Sequence, residues 1–132
     1  MALAGAVLRV ARATQRFDEV RQFYVEGLGL DVLAAFEDHA GFDGVILGGP
    51  HAPYHLEFTL ERGAASAPQP HPESLLVFYL PEAAQWQATV DRLRASGAEP
   101  VASHNPYWDR SGLTFEDPDG FRIVLQNAAW PL

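Results

Sequence analysis

The chain has 132 residues, 48% apolar and 20% charged, with a formal charge of -8. It contains no cysteine, and all nine basic residues are arginine. This excludes a disulfide framework, a thiolate nucleophile, Cys-ligated zinc or iron–sulfur centres, Schiff-base chemistry and a P-loop lysine. A metal would have to use His, Asp or Glu, and the natural anion binder is Arg. The arginines are scattered and the balance is acidic, so no nucleic-acid partner is expected. No apolar run approaches the ~20 residues of a membrane span. The apolar N-terminus lacks a basic lead and is too short for a secretory signal. A cytoplasmic protein with no membrane partner is therefore expected.

Residues 7–13 alternate as a strand. Thr14 to Arg16 is a polar break. Phe17, Val20, Phe23 and Tyr24 then fall at helical spacing, with Asp18 and Glu19 in the first turn and Gly27 and Gly29 at the end. Strands are predicted at 30–36, 42–47 and 54–60, with a turn over 37–41. Asp43, beside that turn, is read as turn chemistry. A Pro-, Ala- and Ser-rich stretch follows, and Pro68, Pro70 and Pro72 forbid regular structure there. The order then repeats. A strand over 75–80 precedes a helix opening at Pro81, with Trp86, Val90 and Leu93 on one face and Gly97 as its stop. A short strand at 99–103 and an aromatic loop at 104–110 come next. Strands at 112–116 and 121–126 are joined by the turn Asp117-Pro-Asp-Gly120. Trp86 and Trp130 are expected to be packing residues.

Gly29 corresponds to Gly97, an offset of about 68 residues, so the chain is an internal duplication of β-α-β-β-β. Module 1 covers about 6–61, the linker about 62–73 and module 2 about 74–127. Both lie within one domain spanning 1–132, because neither half can bury enough core alone.

Phe23-Tyr24 with Gly27-Leu-Gly-Leu30, and Phe115-Glu-Asp-Pro-Asp-Gly120 followed by Phe121-Arg-Ile-Val-Leu125, carry a resemblance over nearly the whole chain. The sequence resembles the vicinal oxygen chelate superfamily, which includes glyoxalase I, extradiol dioxygenases, and fosfomycin and bleomycin resistance proteins. The resemblance implies an α+β fold of two paired βαβββ modules, whose curled mixed sheets surround a cleft. It also implies a homodimer. Metal-dependent members place ligands on the first and last strands of each module. The matching positions here are Arg9, Glu57, Leu75 (Ser74 with a one-residue slip) and Val124. Only Glu57 is a normal ligand, so the usual metal cage is mostly gone and no cofactor is expected.

Alternation places Arg9, His55, Glu57, Tyr79, Arg122 and Gln126 on the cleft face. Glu57 and His55 are the catalytic candidates. Arg9, Tyr79, Asn105, Tyr107, Trp108, Arg122 and Gln126 are the substrate-binding candidates. Arg9 and Glu57 read first as an ion pair replacing a lost metal, and alternatively as an anion grip beside a proton acceptor. A relocated divalent metal on His55, Glu57 and His39 is a further alternative. The aromatic loop is either a lid on a flat ligand or a plug on the sheet end. Expected functions are binding or transformation of a small organic anion, metal-free sequestration of a drug or metabolite, or, with the relocated His/Glu site, a metal-dependent lyase or dioxygenase reaction.

Overall fold

The computed structural model describes residues 1–65 and 68–130, so linker residues 66 and 67 and the last two residues lie outside the described part. Strand β1 (Leu8–Ala13) leads through a turn to helix α1 (Phe17–Gln22). Thr14 Oγ1 accepts from the Arg16 backbone at 2.9 Å and turns the chain there. Strands β2 (Asp31–His39), β3 (Phe42–Gly48) and β4 (Tyr54–Glu61) complete sheet A, in the order β1-β4-β3-β2. Strand β5 (Leu75–Tyr79), helix α2 (Ala83–Ala95), β6 (Gly112–Glu116) and β7 (Arg122–Gln126) form the second unit, with sheet order β5-β7-β6. In each sheet the first strand runs parallel to the last, and the other pairings are antiparallel. The architecture is α+β with two open mixed sheets.

Alternation sorts the two faces. On β3, Val45 and Leu47 are fully buried, and on β4 Leu56 and Phe58 are nearly so. They join Val20, Phe23 and Tyr24 from the first helical segment with Val90, Leu93, Phe115, Ile123 and Leu125 of the second unit in one core. The intervening positions His55, Glu57 and Thr59 of β4 and Ile46 of β3 remain partly open, whereas Gly44 and Gly48 are buried.

Four sequence expectations are corrected. The helix over 17–27 is split, because after Gln22 it widens into a π-helical turn (Phe23–Gly27). There the Leu28 amide bonds Phe23 O at 2.8 Å. The expected turn at 37–41 is mostly strand. β2 runs to His39, and a register shift between Phe36 and His39 carries the chain through Asp38, Ala40 and Gly41 at positive φ. The expected strand at 99–103 is reduced to one bridge, Val101 to Thr114. Pro100 has no amide hydrogen to extend it, and Ser103 Oγ turns to Asn105 O and Asp109 instead. Trp130 is 69% exposed rather than packed, touching the Tyr79 ring at 5.9 Å.

Candidate functional site

Three of the expected site residues come together on the open face of sheet A. β1 and β4 pair in parallel with Arg9 opposite His55 and Ala11 opposite Glu57, so the three side chains share a face. Arg9 Nε donates to His55 Nδ1 at 3.1 Å. Arg9 Nη1 lies 3.6 Å from Glu57 Oε2, with side-chain exposures of 44% and 17%. An imidazole accepting at Nδ1 carries its hydrogen at Nε2, so the remaining ring edge of His55 is a donor. Nε and Nη1 of Arg9 are engaged, and among the described residues Nη2 is left to meet a ligand. The trio can therefore offer a cationic donor, a carboxylate and an imidazole N–H on one side of the sheet.

The residues expected opposite sit on the second sheet. Leu75, Val77 and Tyr79 of β5 pair with Arg122, Val124 and Gln126 of β7, so these six share one face. Arg122 Nη1 donates to Ala102 O at 3.2 Å, and its Nε lies 3.7 Å from Glu116 Oε2. Gln126 is only 3% exposed, and its Oε1 has no hydrogen-bond partner. It lies across the bare backbone of Gly112. Thr114 Oγ1 is equally buried and unpartnered. Asn105 Oδ1 accepts the Tyr107 amide at 3.0 Å and opens a 3-10 turn (Pro106–Asp109) that packs against β6. Tyr107 and Trp108 meet edge to face at 5.0 Å, and Tyr107 is exposed. The contacts of Arg9, His55 and Glu57 thus stay in the first unit, and those of Arg122 in the second.

His39 is not brought to the trio. It pairs with Phe42 at one end of β3, whereas His55 pairs with Gly48 at the other, about 20 Å away along the strand. Among the described residues no group of three or more His, Asp or Glu is placed to hold a metal. The positions matching the superfamily's metal ligands do not fit a divalent cation. A guanidinium stands beside the lone carboxylate, and Leu75 and Val124 have no lone pair to give.

Asp43 performs turn chemistry, since its Oδ1 accepts from the Asp38 amide at 2.9 Å and from Arg62 Nη2 at 2.9 Å. The bonds to Arg62 and Asp38 hold its carboxyl below the usual range. Sequence reasoning missed the apolar neighbours of the trio. Ile46 pairs with Glu57 and is flanked by Gly44 and Gly48 on the same face. The alternating Gly-x-Ile-x-Gly of β3 was the available signal. It also missed the buried contact of Tyr24 with Asp117, across the two units at 2.6 Å.

Comparison with known proteins bears on the family and the fold. Residues 8–59 match the YycE-like N-terminal domain, and residues 73–127 match the YycE-like C-terminal domain. The chain is 51% identical to the Bacillus subtilis protein YycE over 124 residues, covering 94% of this chain and 89% of YycE. A crystal structure of YycE from Bacillus subtilis, a protein of unknown function, superposes with a TM-score of 0.87 at 50% identity, over 95% of this chain and 91% of that one. Two more distant structures share the fold. The trypanothione-dependent glyoxalase I of Leishmania major has a TM-score of 0.70 at 22% identity, over 92% and 86% of the two chains. The fosfomycin resistance protein FosX of Mesorhizobium loti has 0.67 at 9%, over 95% and 93%.

Proposed function

The chain belongs to the YycE-like family, within the vicinal oxygen chelate superfamily, and from that premise we propose that it binds or transforms a small organic anion on the open face of sheet A. The observation that carries this is the Arg9–His55–Glu57 trio, three side chains interlocked on one face of sheet A. Arg9 Nη2 takes the anion, since a guanidinium suits planar carboxylates. Glu57 serves as proton acceptor for a group beside that anion, and His55 orients the guanidinium and donates from Nε2. No step is routed through a metal, because the donor set does not suit one. A homodimer in the cytoplasm is part of the same proposal. Support for the dimer is the apolar Val32, which the edge strand β2 leaves exposed. Sedimentation and cell fractionation test these two points.

Thermal shift with a panel of small carboxylates tests the binding. Arg9→Gln is expected to abolish any shift seen with the unaltered protein. No shift with any carboxylate, or shifts unchanged by Arg9→Gln, overturns the reading. One observation favours a second reading, metal-free sequestration of a drug or metabolite as in bleomycin resistance proteins. Glu57 already neutralises Arg9, and the chain carries -8 overall. Under that reading cationic aromatics, not carboxylates, raise the melting temperature. Elemental analysis of the purified protein checks both, since stoichiometric divalent metal contradicts each.

A further inference from the structure

The charged trio occupies one half of its face, and the other half is apolar. Glu57 pairs with Ile46 on β3, and Ile46 pairs with Ala34 on β2. The face positions on either side of Ile46 are Gly44 and Gly48, and both are roofed from β2. The Phe36 ring stands where a Gly44 side chain would be, and Leu33 Cδ1 lies 3.3 Å from where a Gly48 side chain would begin. Leu33 is 40% exposed, while Ile46 and Phe36 are half-buried. Adjacent strands are about 4.8 Å apart, so Ile46 stands one spacing from Glu57, and Leu33 and Phe36 stand two. The small side chain of Ala34 leaves a shallow step between them.

This layout fixes what a good occupant must carry. An inorganic anion, or acetate, would use Arg9 and leave the apolar half in water. A hydrocarbon would use that half and leave the Arg9 donors unmet. Arg9 itself is on β1, two spacings from Ile46, but its Nη1 reaches to 3.6 Å from Glu57 on β4, so a ring attached directly to a carboxylate, which spans about one strand spacing, reaches from the guanidinium to Ile46 and meets both. We propose that the ligand class of this site is an aromatic carboxylate, its carboxylate on Arg9 Nη2 and its ring on Ile46 between Leu33 and Phe36. This rests on the reading that Arg9 grips an anion. It adds that the apolar half of the face selects the body of the molecule.

Calorimetric titration with benzoate, acetate and benzamide tests the proposal. Benzoate is expected to bind at least about tenfold more tightly than either of the others, because only it satisfies both halves. Ile46→Thr keeps a β-branched residue in the strand and is expected to bring benzoate down to the affinity of acetate. Leu33→Ser, on the edge strand, supplies the same reading if Ile46→Thr does not fold. Arg9→Gln is expected to abolish binding of both acids. Equal, Arg9-dependent binding of acetate and benzoate overturns the aromatic class and leaves the anion grip standing. Benzamide binding as well as benzoate, with no effect of Arg9→Gln, overturns both. Absence of benzoate binding at about 10 mM also overturns the proposal.

Discussion

At the scale of single residues, the Tyr24–Asp117 contact is the one with the largest electrostatic consequence. Tyr24 donates its hydroxyl to Asp117 Oδ2 at 2.6 Å, and both residues are almost wholly buried. Asp117 Oδ1 accepts from the Asp119 and Phe121 amides at 2.9 and 3.0 Å. Burial pushes the Asp117 carboxyl above its usual value, against the lowering effect of these three bonds. Burial, reinforced by the neighbouring Asp117 charge, also pushes the Tyr24 phenol well above its ordinary value. An acid whose folded pKa is raised holds its proton more tightly folded than unfolded. The stability it contributes is complete below the unfolded value, about 3.9, and is lost as pH rises through the folded pKa. Asp117→Asn removes this titration. The advantage of the unaltered protein over Asp117→Asn in urea unfolding should therefore shrink as pH rises above about 4, and an advantage that grows with pH contradicts the assignment. Tyr24→Phe strands a buried carboxylate oxygen and should cost about 1–3 kcal/mol. Thr114 is the converse case. Its hydroxyl is buried without a partner beside Val124, so the isosteric Thr114→Val should raise stability by about 1 kcal/mol in the same assay.

At the scale of elements, the clearest agreement between sequence and fold lies at the helix ends. Gly97 sits at φ +100°, its amide bonds Arg94 O at 3.0 Å, and the Ala98 amide bonds Leu93 O at 3.0 Å. These two bonds close α2 as a Schellman motif, with Ala98 packed near the Leu93 of the core. Gly97→Ala has room for its methyl but not the conformation, so it should cost about 1–2 kcal/mol in thermal or urea unfolding. A cost near zero would mean the helix ends elsewhere. Gly29, its counterpart in the duplication, is also left-handed, at φ +89°. This pair was readable because a glycine stop is a local signal. The Arg9–His55–Glu57 face was readable for a similar reason, since alternation along one strand needs no knowledge of its partners. What escaped depends on pairing. The place of Ile46 beside Glu57, and of the Phe36 ring over Gly44, follows from register across three strands, which no single segment encodes. His39 was misjudged although chain order places it, because the β2–β3 turn and the start of β4 fall at opposite ends of an antiparallel β3. The π-helical turn at Phe23–Gly27 packs against α2, with Gly27 beside Leu93 and Ser96, a contact that no single segment encodes.

At the scale of the whole molecule, the duplicated units are not independent. Val20, Tyr24 and Phe58 of the first are fully or nearly fully buried, and their cluster includes Ile123 and Leu125 of the second. The Tyr24 ring stacks on Phe58 at 4.6 Å while its hydroxyl crosses to Asp117. Arg92 of α2 reaches back to the carbonyls of Val25 and Glu26 at 3.5 and 3.4 Å, where the π-helical turn leaves its last acceptors. Trp86 Nε1 donates to Leu125 O at 2.9 Å and fixes α2 on its own sheet, so the second unit presents a formed surface to the first. Separating the units would expose one helix face and one sheet face in each, on a segment of about 65 residues that is marginal even with a complete core. The full chain should therefore unfold in one transition, with near- and far-UV circular dichroism coincident. A fragment of residues 1–65 should show no cooperative thermal transition at all. Cooperative melting of that fragment would mean that the first sheet and α1 close a core without Ile123, Leu125 and Asp117, and that the joint between the units serves the binding face rather than the fold.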